Sequence, residues 1–170
     1  MSTLMVTGHR PNKLIGGYDY KSEFNMILRN ELYHCISESN CNHFISGGAL
    51  GVDQMFALEV IRFKKDNPEM NITLEIAVPC RKHSSKWLPK SVEIYEYILK
   101  NADKVTLVTD AEYSPKLMQI RNEYMVNNAT YILAVWDGTS GGTKNCIDYA
   151  KSKAKLIHVI NPNTMENYEI

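Results

Sequence analysis

The sequence predicts an α/β protein with a Rossmann-like, doubly wound and mainly parallel six-stranded sheet that carries helices on both faces. Three observations predict this fold class. Short apolar runs alternate from end to end with longer segments whose apolar residues recur every three or four positions. Neither an internal repeat nor a linker rich in Pro or Gly interrupts the alternation. The length of 170 residues is natural for one domain, so we expect a single domain over residues 1–170.

The first half of the chain contains three apolar runs of strand length and two periodic segments of helix length. Pro68 lies just past the second helix, and Pro79 ends the third strand, as prolines commonly do at the ends of such elements. The predicted strands are 4–6, 43–45 and 72–78, and the predicted helices are 20–38 and about 51–65.

The second half repeats the alternation three more times. The run at 131–135 is unbroken in its apolar character, which predicts a strand buried on both faces. The tail, 161–170, has little pattern and is predicted to contain no regular element. The predicted strands are 104–108, 131–135 and 156–160, and the predicted helices are 89–100, 116–128 and 143–154.

Charge and composition exclude several classes of function. The formal net charge is zero, so a broad basic surface and a nucleic-acid partner are not expected. No apolar run approaches the ~20 residues of a membrane span, and the first residues lack the features of a secretory signal. The four cysteines form no C-x-x-C pair, which is typical of reduced thiols in a cytoplasmic protein. We expect no membrane partner, no metal and no cofactor.

Two glycine-rich turns follow predicted strands and lead into predicted helices. Parallel strands bring their carboxyl ends to one edge of the sheet, where such folds bind ligands. Glycine lets the backbone approach a ligand closely, and a helix N-terminus offers unpaired N–H groups to an anion, most often phosphate. The alternative is that both are only tight turns between a strand and a helix. The candidate ligand-binding residues in these turns are Ser46, Gly47, Gly48, Gly51 and Asp53 in the first, and Trp136, Asp137, Gly138, Gly141, Gly142 and Thr143 in the second.

Charged and aromatic side chains near the same edge extend the candidate site. Gly8, His9 and Arg10 follow the first strand, and Arg81 follows the third. Arg121 shares a helix face with apolar residues, so its guanidinium needs a partner. That partner is either an internal carboxylate, Asp53 or Asp137, or a phosphate or carboxylate of a ligand.

Several further residues each have two possible interpretations. Trp136 can stack on a base or pack in the core, and Asp137 can accept a ribose hydroxyl or shape the turn. His9 can donate to phosphate or satisfy a nearby carbonyl. The polar segment 82–87, which ends in Trp87, is either a solvated loop or a loop that closes over the site.

Four motifs in this order resemble the YpsA-like (DUF1273) family of the SLOG superfamily, which also contains the LOG-type phosphoribohydrolases and the DprA-type DNA-processing proteins. They are TGHRP at 7–11, SGGALGVD at 46–53, RNEYMV at 121–126 and AVWDGTSGGTKNCIDYA at 134–150. The resemblance implies a Rossmann-like domain that binds a phosphorylated nucleotide-like small molecule, such as a nucleoside monophosphate, ADP-ribose or an NAD-like ligand. It also implies a homo-oligomer, a dimer or higher.

The resemblance also implies a point at which this chain differs from the LOG-type enzymes. Their signature pairs an arginine with P-G-G-x-G-T-x-x-E, and here the glutamate position falls on Cys146. The resulting hypothesis is a protein that binds the ligand as a sensor or sequesters it. One alternative is a nucleotide N-glycosidase that releases free base and ribose 5-phosphate, and a second is a DprA-like DNA-processing protein. The candidates for a catalytic role are Arg121, Glu123, Asp137, Asp53 and, in addition, Asp148.

Overall fold

The computed structural model describes all 170 residues, which form seven strands in one sheet and five α-helices. Two short 3-10 turns, Pro11–Lys13 and Pro68–Met70, complete the regular structure. The strands are β1 (Thr3–Gly8), β2 (His43–Ser46), β3 (Thr73–Val78), β4 (Lys104–Leu107), β5 (Tyr131–Val135), β6 (Leu156–Ile160) and β7 (Asn167–Glu169). The helices are α1 (Glu23–Glu38), α2 (Val52–Asp66), α3 (Pro89–Asn101), α4 (Pro115–Asn128) and α5 (Gly142–Ser152).

The strand order is β4-β3-β2-β1-β5-β6-β7, and all neighbours are parallel except β6 and β7. The chain therefore moves outward from β1 to β4, then returns to place β5 on the other side of β1. The connections that leave β1 and β5 diverge, and a crevice opens at their carboxyl ends, as at the switch point of any doubly wound sheet. The predicted α/β, mainly parallel fold is confirmed.

The predicted number of strands was six, and the structure has seven. The additional strand, β7, lies in the tail that was predicted to have no regular element, and it pairs antiparallel with the last residues of β6. All three of its side chains are exposed. No buried face imposes an apolar alternation on it, so the sequence carries no signal for it.

The sheet separates two apolar cores. The larger core lies under α1, α2 and α3, and the smaller lies under α4 and α5. Neighbouring residues of one strand enter different cores: Leu4 and Val6 belong to the larger and Met5 to the smaller. Residues 132–135 of β5 are all buried, which confirms the predicted burial of that strand on both faces, although its first residue, Tyr131, is exposed.

Helix α2 lies at the centre of the larger core and leads directly to the crevice. It is buried on most of its circumference, which is why its sequence lacks a clear polar face. A Cβ on Gly8 would lie 2.5 Å from Cγ1 of Val52, so glycine at the end of β1 lets the start of α2 pack closely against it. None of the helices combines the length and the apolar character needed to cross a bilayer.

Candidate functional site

A cavity of about 240 Å³ opens in the crevice at the carboxyl ends of β1 and β5. Five segments meet there, of which the first two follow one another in sequence: the end of β1, the turn Pro11–Lys13, the loop into α2, one face of α4 and the loop into α5. The lining residues are Thr7, Gly8, His9, Arg10, Asn12, Lys13, Ala49, Asp53, Met118, Arg121, Asn122, Thr139, Ser140, Gly141, Gly142 and Thr143.

The second glycine-rich turn presents unpaired backbone donors to this cavity. Helix α5 begins at Gly142, and no side chain caps it. Its first backbone hydrogen bond runs from the N–H of Asn145 to the carbonyl of Gly141. The N–H groups of Gly142, Thr143 and Lys144 therefore have no acceptor within the protein, as expected of the first turn of a helix. Gly142 and Thr143 also line the cavity.

The first glycine-rich turn, by contrast, uses its donors internally. The N–H of Gly48 donates to Oγ of Ser46 at 3.1 Å, and the N–H of Gly51 donates to the hydroxyl of Tyr20 at 2.8 Å. The N–H of Val52, at the start of α2, donates to a backbone carbonyl beyond the end of β1. At the start of α2 only the N–H of Asp53 has no acceptor, whereas three N–H groups are free at the start of α5.

Close packing explains the glycines of the first turn. Gly51 has a φ of +94°, and a Cβ there would lie 2.5 Å from the carbonyl oxygen of His9. A Cβ on Gly47 would lie 2.1 Å from Nη1 of Arg121 and 2.6 Å from Oδ2 of Asp53. Glycine at 47 therefore makes room for an internal charged pair.

Arg121 and Asp53 form that pair at the base of the cavity. Arg121 is 4% exposed, and its Nη1 donates to the carbonyl of Gly47 at 2.7 Å, while its Nε donates to Oδ1 of Asn122 at 3.1 Å. Its Nη2 lies 3.9 Å from Oδ2 of Asp53, too far for a hydrogen bond. The internal partner is thus Asp53 and not Asp137, and Nη2 has no hydrogen-bond acceptor within the protein.

Burial controls the protonation of this pair. It raises the pKa of the Asp53 carboxyl, and the charges of Arg121 and Arg10 only partly oppose it. It also lowers the pKa of the Arg121 guanidinium, which Asp53 partly restores. Each group is therefore the main compensation for the other's charge.

His9 and Asp137 join the loops after β1 and β5 across the crevice. Nε2 of His9 lies 2.8 Å from Oδ1 of Asp137, which also accepts hydrogen bonds from the N–H and the hydroxyl of Thr139. Burial alone would raise the pKa of Asp137, but the hydrogen bonds from Thr139 and His9 outweigh it and lower the pKa to about 2. Burial also lowers the pKa of His9, so the imidazole is neutral at neutral pH, and its Nε2 lies within hydrogen-bond distance of both Oδ1 and, at 3.1 Å, the backbone N–H of Asp137.

Asp137→Asn is expected to lower the free energy of unfolding at pH 7 by about 1–2 kcal/mol, because the charge on its three hydrogen bonds is lost. The folded-state pKa of Asp137 is depressed, so its contribution is complete above the unfolded pKa near 4 and disappears as the pH falls towards 2. Urea unfolding at pH 7 and pH 3 should show the gap between wild type and variant shrinking in acid. A gap of constant size would contradict this assignment. Asp148→Asn, which breaks an exposed pair with Lys144, should cost about 0.5 kcal/mol or less.

Several candidate ligand-binding residues do not line the cavity. Arg81 is exposed and pairs with Asp110. Trp136 packs against the smaller core and donates from Nε1 to the carbonyl of Thr139, 2.7 Å away. The others outside the lining are Ser46, Gly47, Gly48, Gly51, Asp137 and Gly138.

Among the candidate catalytic acids, only Asp53 lines the cavity. Glu123 accepts a long hydrogen bond from Gln119, and Asp148 pairs with Lys144. Cys146, at the position of the LOG-type glutamate, is fully buried in the smaller core, and burial raises the pKa of its thiol to about 11. The thiol carries no charge at neutral pH, so it provides nothing that a glutamate would.

Lys13 is the most informative residue that the sequence did not single out. Its Nζ donates to Oγ1 of Thr139 at 3.1 Å and to the carbonyl of Ser140 at 2.9 Å, so it holds the turn before α5. Its position three residues after Arg10 was the only available signal. Asn12, Met118 and Asn122 were missed as well.

The surface also carries a second concave region, and the chain contains potential metal ligands. A larger groove of about 850 Å³ lies between α1 and the starts of β5 and β6, away from the carboxyl ends of the strands. No three His, Cys, Asp or Glu side chains come together in a way that could hold a metal ion.

Known sequences place the chain in context. The sequence profile of the YspA SLOG family matches residues 4–166. The chain is 38% identical over 128 residues to the uncharacterized SPbeta prophage-derived protein YoqJ of Bacillus subtilis (strain 168), which covers 68% of this chain and 73% of that protein. It is 28% identical over 161 residues to a UPF0398 protein of Bacillus thuringiensis (strain Al Hakam), covering 92% and 86% respectively.

Known structures agree on the fold. DNA processing protein A (DprA) of Streptococcus pneumoniae superposes with a TM-score of 0.63 at 13% identity, over 94% of this chain and 50% of that one. DprA of Helicobacter pylori, for which a single-stranded DNA binding mode is described, gives the same TM-score and identity over 94% and 65%. This chain thus spans half to two thirds of the DprA chains, and at 13% identity the likeness concerns the fold alone.

Proposed function

The chain belongs to the YspA SLOG family, as its four motifs predicted, and on that basis we propose that the cavity at the ends of β1 and β5 binds a phosphorylated nucleotide or nucleotide-derived ligand. The protein would act as a sensor of that ligand or sequester it. The phosphate would lie on the free N–H groups of Gly142, Thr143 and Lys144.

One observation carries the proposal: unpaired backbone donors and cationic side chains line the same cavity. The first turn of α5 provides donors and a partial positive charge. Arg10, Lys13 and Arg121 add three cations, against the single lining carboxylate of Asp53. An anion is the ligand that such an excess of donors and positive charge favours.

The size of the cavity supports a particular placement of the ligand. Its volume of about 240 Å³ is below the ~300–1,000 Å³ of pockets that enclose a whole drug-sized molecule. A phosphate and a sugar fit this space better than a complete nucleotide. The base would then lie beyond the cavity.

Ligand binding is expected to raise the melting temperature. A ligand at one hundred times its Kd adds about 2.7 kcal/mol, which for a domain of this size raises Tm by about 5–10 °C. Arg10→Ala should weaken binding about tenfold or more, because it removes a charge-assisted hydrogen bond. Thermal denaturation with ribose 5-phosphate, AMP, ADP-ribose and NAD measures both effects.

The matched control is Arg81→Ala, which removes an exposed arginine outside the cavity. It should leave ligand binding unchanged. The proposal fails if none of the four ligands raises Tm, or if Arg10→Ala and Arg81→Ala weaken binding equally.

The glycosidase alternative ranks lower because of Cys146 and the isolation of the remaining acids. Only Asp53 is close to the proposed sugar position, and it is already paired with Arg121. Incubation of the protein with nucleotides, followed by chromatography for free base, tests this alternative. Release of base that Asp53→Asn abolishes would favour catalysis over binding.

A nucleic-acid ligand is the second alternative, and the structural neighbours favour it more than the sequence did. The single-stranded DNA binding mode of the Helicobacter pylori DprA weighs against the expectation of no nucleic-acid partner. The formal net charge of zero, by contrast, argues against a nucleic-acid ligand. A salt-sensitive mobility shift with single-stranded DNA would support this alternative. A homo-oligomer, implied by the family resemblance, stays a prediction.

A further inference from the structure

Three aromatic side chains form a cluster in and behind the loop that follows β3. His83, Trp87 and Tyr95 pack edge to face, with ring centroids 4.8 Å apart for His83 and Trp87, 5.9 Å for His83 and Tyr95, and 5.1 Å for Trp87 and Tyr95. We call these three residues the aromatic cluster.

The aromatic cluster contains buried polar atoms that the protein does not satisfy. Both ring nitrogens of His83 are shielded from solvent and have no hydrogen-bond partner. Burial raises the pKa of the Tyr95 hydroxyl to about 12. Buried polar groups without partners are rare in folded proteins because their desolvation is not repaid. A ligand group that binds here would supply the missing partner.

The aromatic cluster adjoins the proposed site on the side opposite α5. Cε1 of Tyr95 would lie 2.9 Å from a Cβ on Gly48. The preceding residue, Gly47, accepts a hydrogen bond from Arg121 at its carbonyl. Burial, together with the nearby charges of Arg121 and Arg10, lowers the pKa of His83 to about 3. The loops after β5, β1, β2 and β3 follow one another along the sheet edge, so the loop that carries His83 and Trp87 lies on the same edge as the start of α5, three strands away.

We propose that the loop of residues 80–88 holds the heteroaromatic base of the ligand and that His83 hydrogen-bonds to the base edge and so determines base specificity. This inference rests on the proposed function, in which the phosphate lies at α5. A neutral imidazole carries one donor and one acceptor, which match a nucleobase edge where a donor adjoins an acceptor. The rings of Trp87 and Tyr95 offer apolar surface to the base.

Binding of the base requires this loop to move. The His83 nitrogens have no exposed surface, so the imidazole must turn out of the cluster or the loop must shift when the base arrives. Neighbouring Lys82, Ser85 and Lys86 are exposed and the segment contains neither helix nor strand. The fluorescence of Trp87 should therefore change with a base-bearing ligand.

Calorimetric titration of wild type and His83→Phe with ribose 5-phosphate and with AMP, GMP, CMP and UMP tests the inference. Phenylalanine keeps the edge-to-face packing but removes both nitrogens. At least one nucleotide should bind wild type about tenfold more tightly than ribose 5-phosphate, and His83→Phe should remove that advantage. The affinity for ribose 5-phosphate should stay within about twofold. His83→Gln, which keeps a donor and an acceptor, should retain part of the advantage and covers the case in which His83→Phe folds poorly.

The outcomes separate the two proposals. The inference is overturned if His83→Phe binds the nucleotide as wild type does, or if it weakens nucleotide and ribose 5-phosphate equally. The contribution of Trp87 is the part of the fluorescence change that Trp87→Phe removes. If this contribution is as large with ribose 5-phosphate as with a nucleotide, the inference is also overturned. Failure of wild type to bind either ribose 5-phosphate or any nucleotide refutes the proposed function itself.

Discussion

Arg121→Met is expected to lower the free energy of unfolding by about 3–5 kcal/mol, because it leaves the buried carboxylate of Asp53 without its main counter-charge. The variant also loses the hydrogen bond from Nη1 to the carbonyl of Gly47, which fixes the turn before α2. This is the largest effect of a single substitution that the structure predicts. Urea unfolding at neutral pH measures it.

The pH dependence of this variant follows from the pKa of Asp53. Burial raises that pKa in the folded state, and without Arg121 it rises further. A carboxyl with a raised folded-state pKa destabilises the protein as pH rises above its unfolded pKa. The deficit of Arg121→Met should therefore shrink as the pH falls below that raised pKa and Asp53 takes up a proton.

The double variant Arg121→Met, Asp53→Leu provides the control. Replacing both charges by apolar groups removes the uncompensated carboxylate, so the double variant should be more stable than Arg121→Met alone. Equal stability of the two variants, at a deficit that does not change with pH, would show that the pair is not coupled.

Gly47→Ala is expected to cost about 3 kcal/mol, at the upper end of overpacking effects. Its Cβ would lie 2.1 Å from Nη1 and 2.4 Å from Cζ of Arg121, so the guanidinium must move away from the Gly47 carbonyl and from Asp53. Ligand affinity should fall as well, since Arg121 lines the cavity. Thermal and urea unfolding measure the first effect, and titration with ribose 5-phosphate measures the second.

Gly142→Ala is the matched control for stability. A Cβ there would meet nothing within 4 Å, and Gly142 does not have a positive φ. Its stability should change by about 0.5 kcal/mol or less. If both alanines cost the same, the steric account of Gly47 is wrong.

The fold was predictable because its signals are local. The alternation of apolar runs and periodic segments identified β1 to β6 and all five helices within a few residues, since all of them except the edge strand β4 contain buried residues. β7 was missed because its pairing with β6 leaves its side chains exposed. Helix α1 was predicted to begin at residue 20 but begins at Glu23. It begins there because Ser22 caps it by accepting a hydrogen bond from the N–H of Asn25.

The site was predictable only in part, because its essential contacts join residues that are distant in sequence. The two glycine-rich turns were identified, yet the pattern could not show which backbone donors are free. Tyr20 satisfies Gly51 from 31 positions away, and Arg121 reaches Gly47 across 74 positions. Periodicity indicated that Arg121 needs a partner, but only the folded structure, in which Arg121 bonds to Gly47 and lies near Asp53, identifies that partner. The same arrangement explains why position 47 holds glycine.

The central claim is that an anion binds the free donors at the start of α5, and backbone amide NMR tests it most directly. Ribose 5-phosphate should shift the N–H resonances of Gly142, Thr143 and Lys144 in a saturable way. The resonances of Gly48 and Gly51, whose N–H groups are bonded to Ser46 and Tyr20, should move much less. Saturable shifts centred on Gly48 and Gly51, with none at Gly142 to Lys144, would contradict the account.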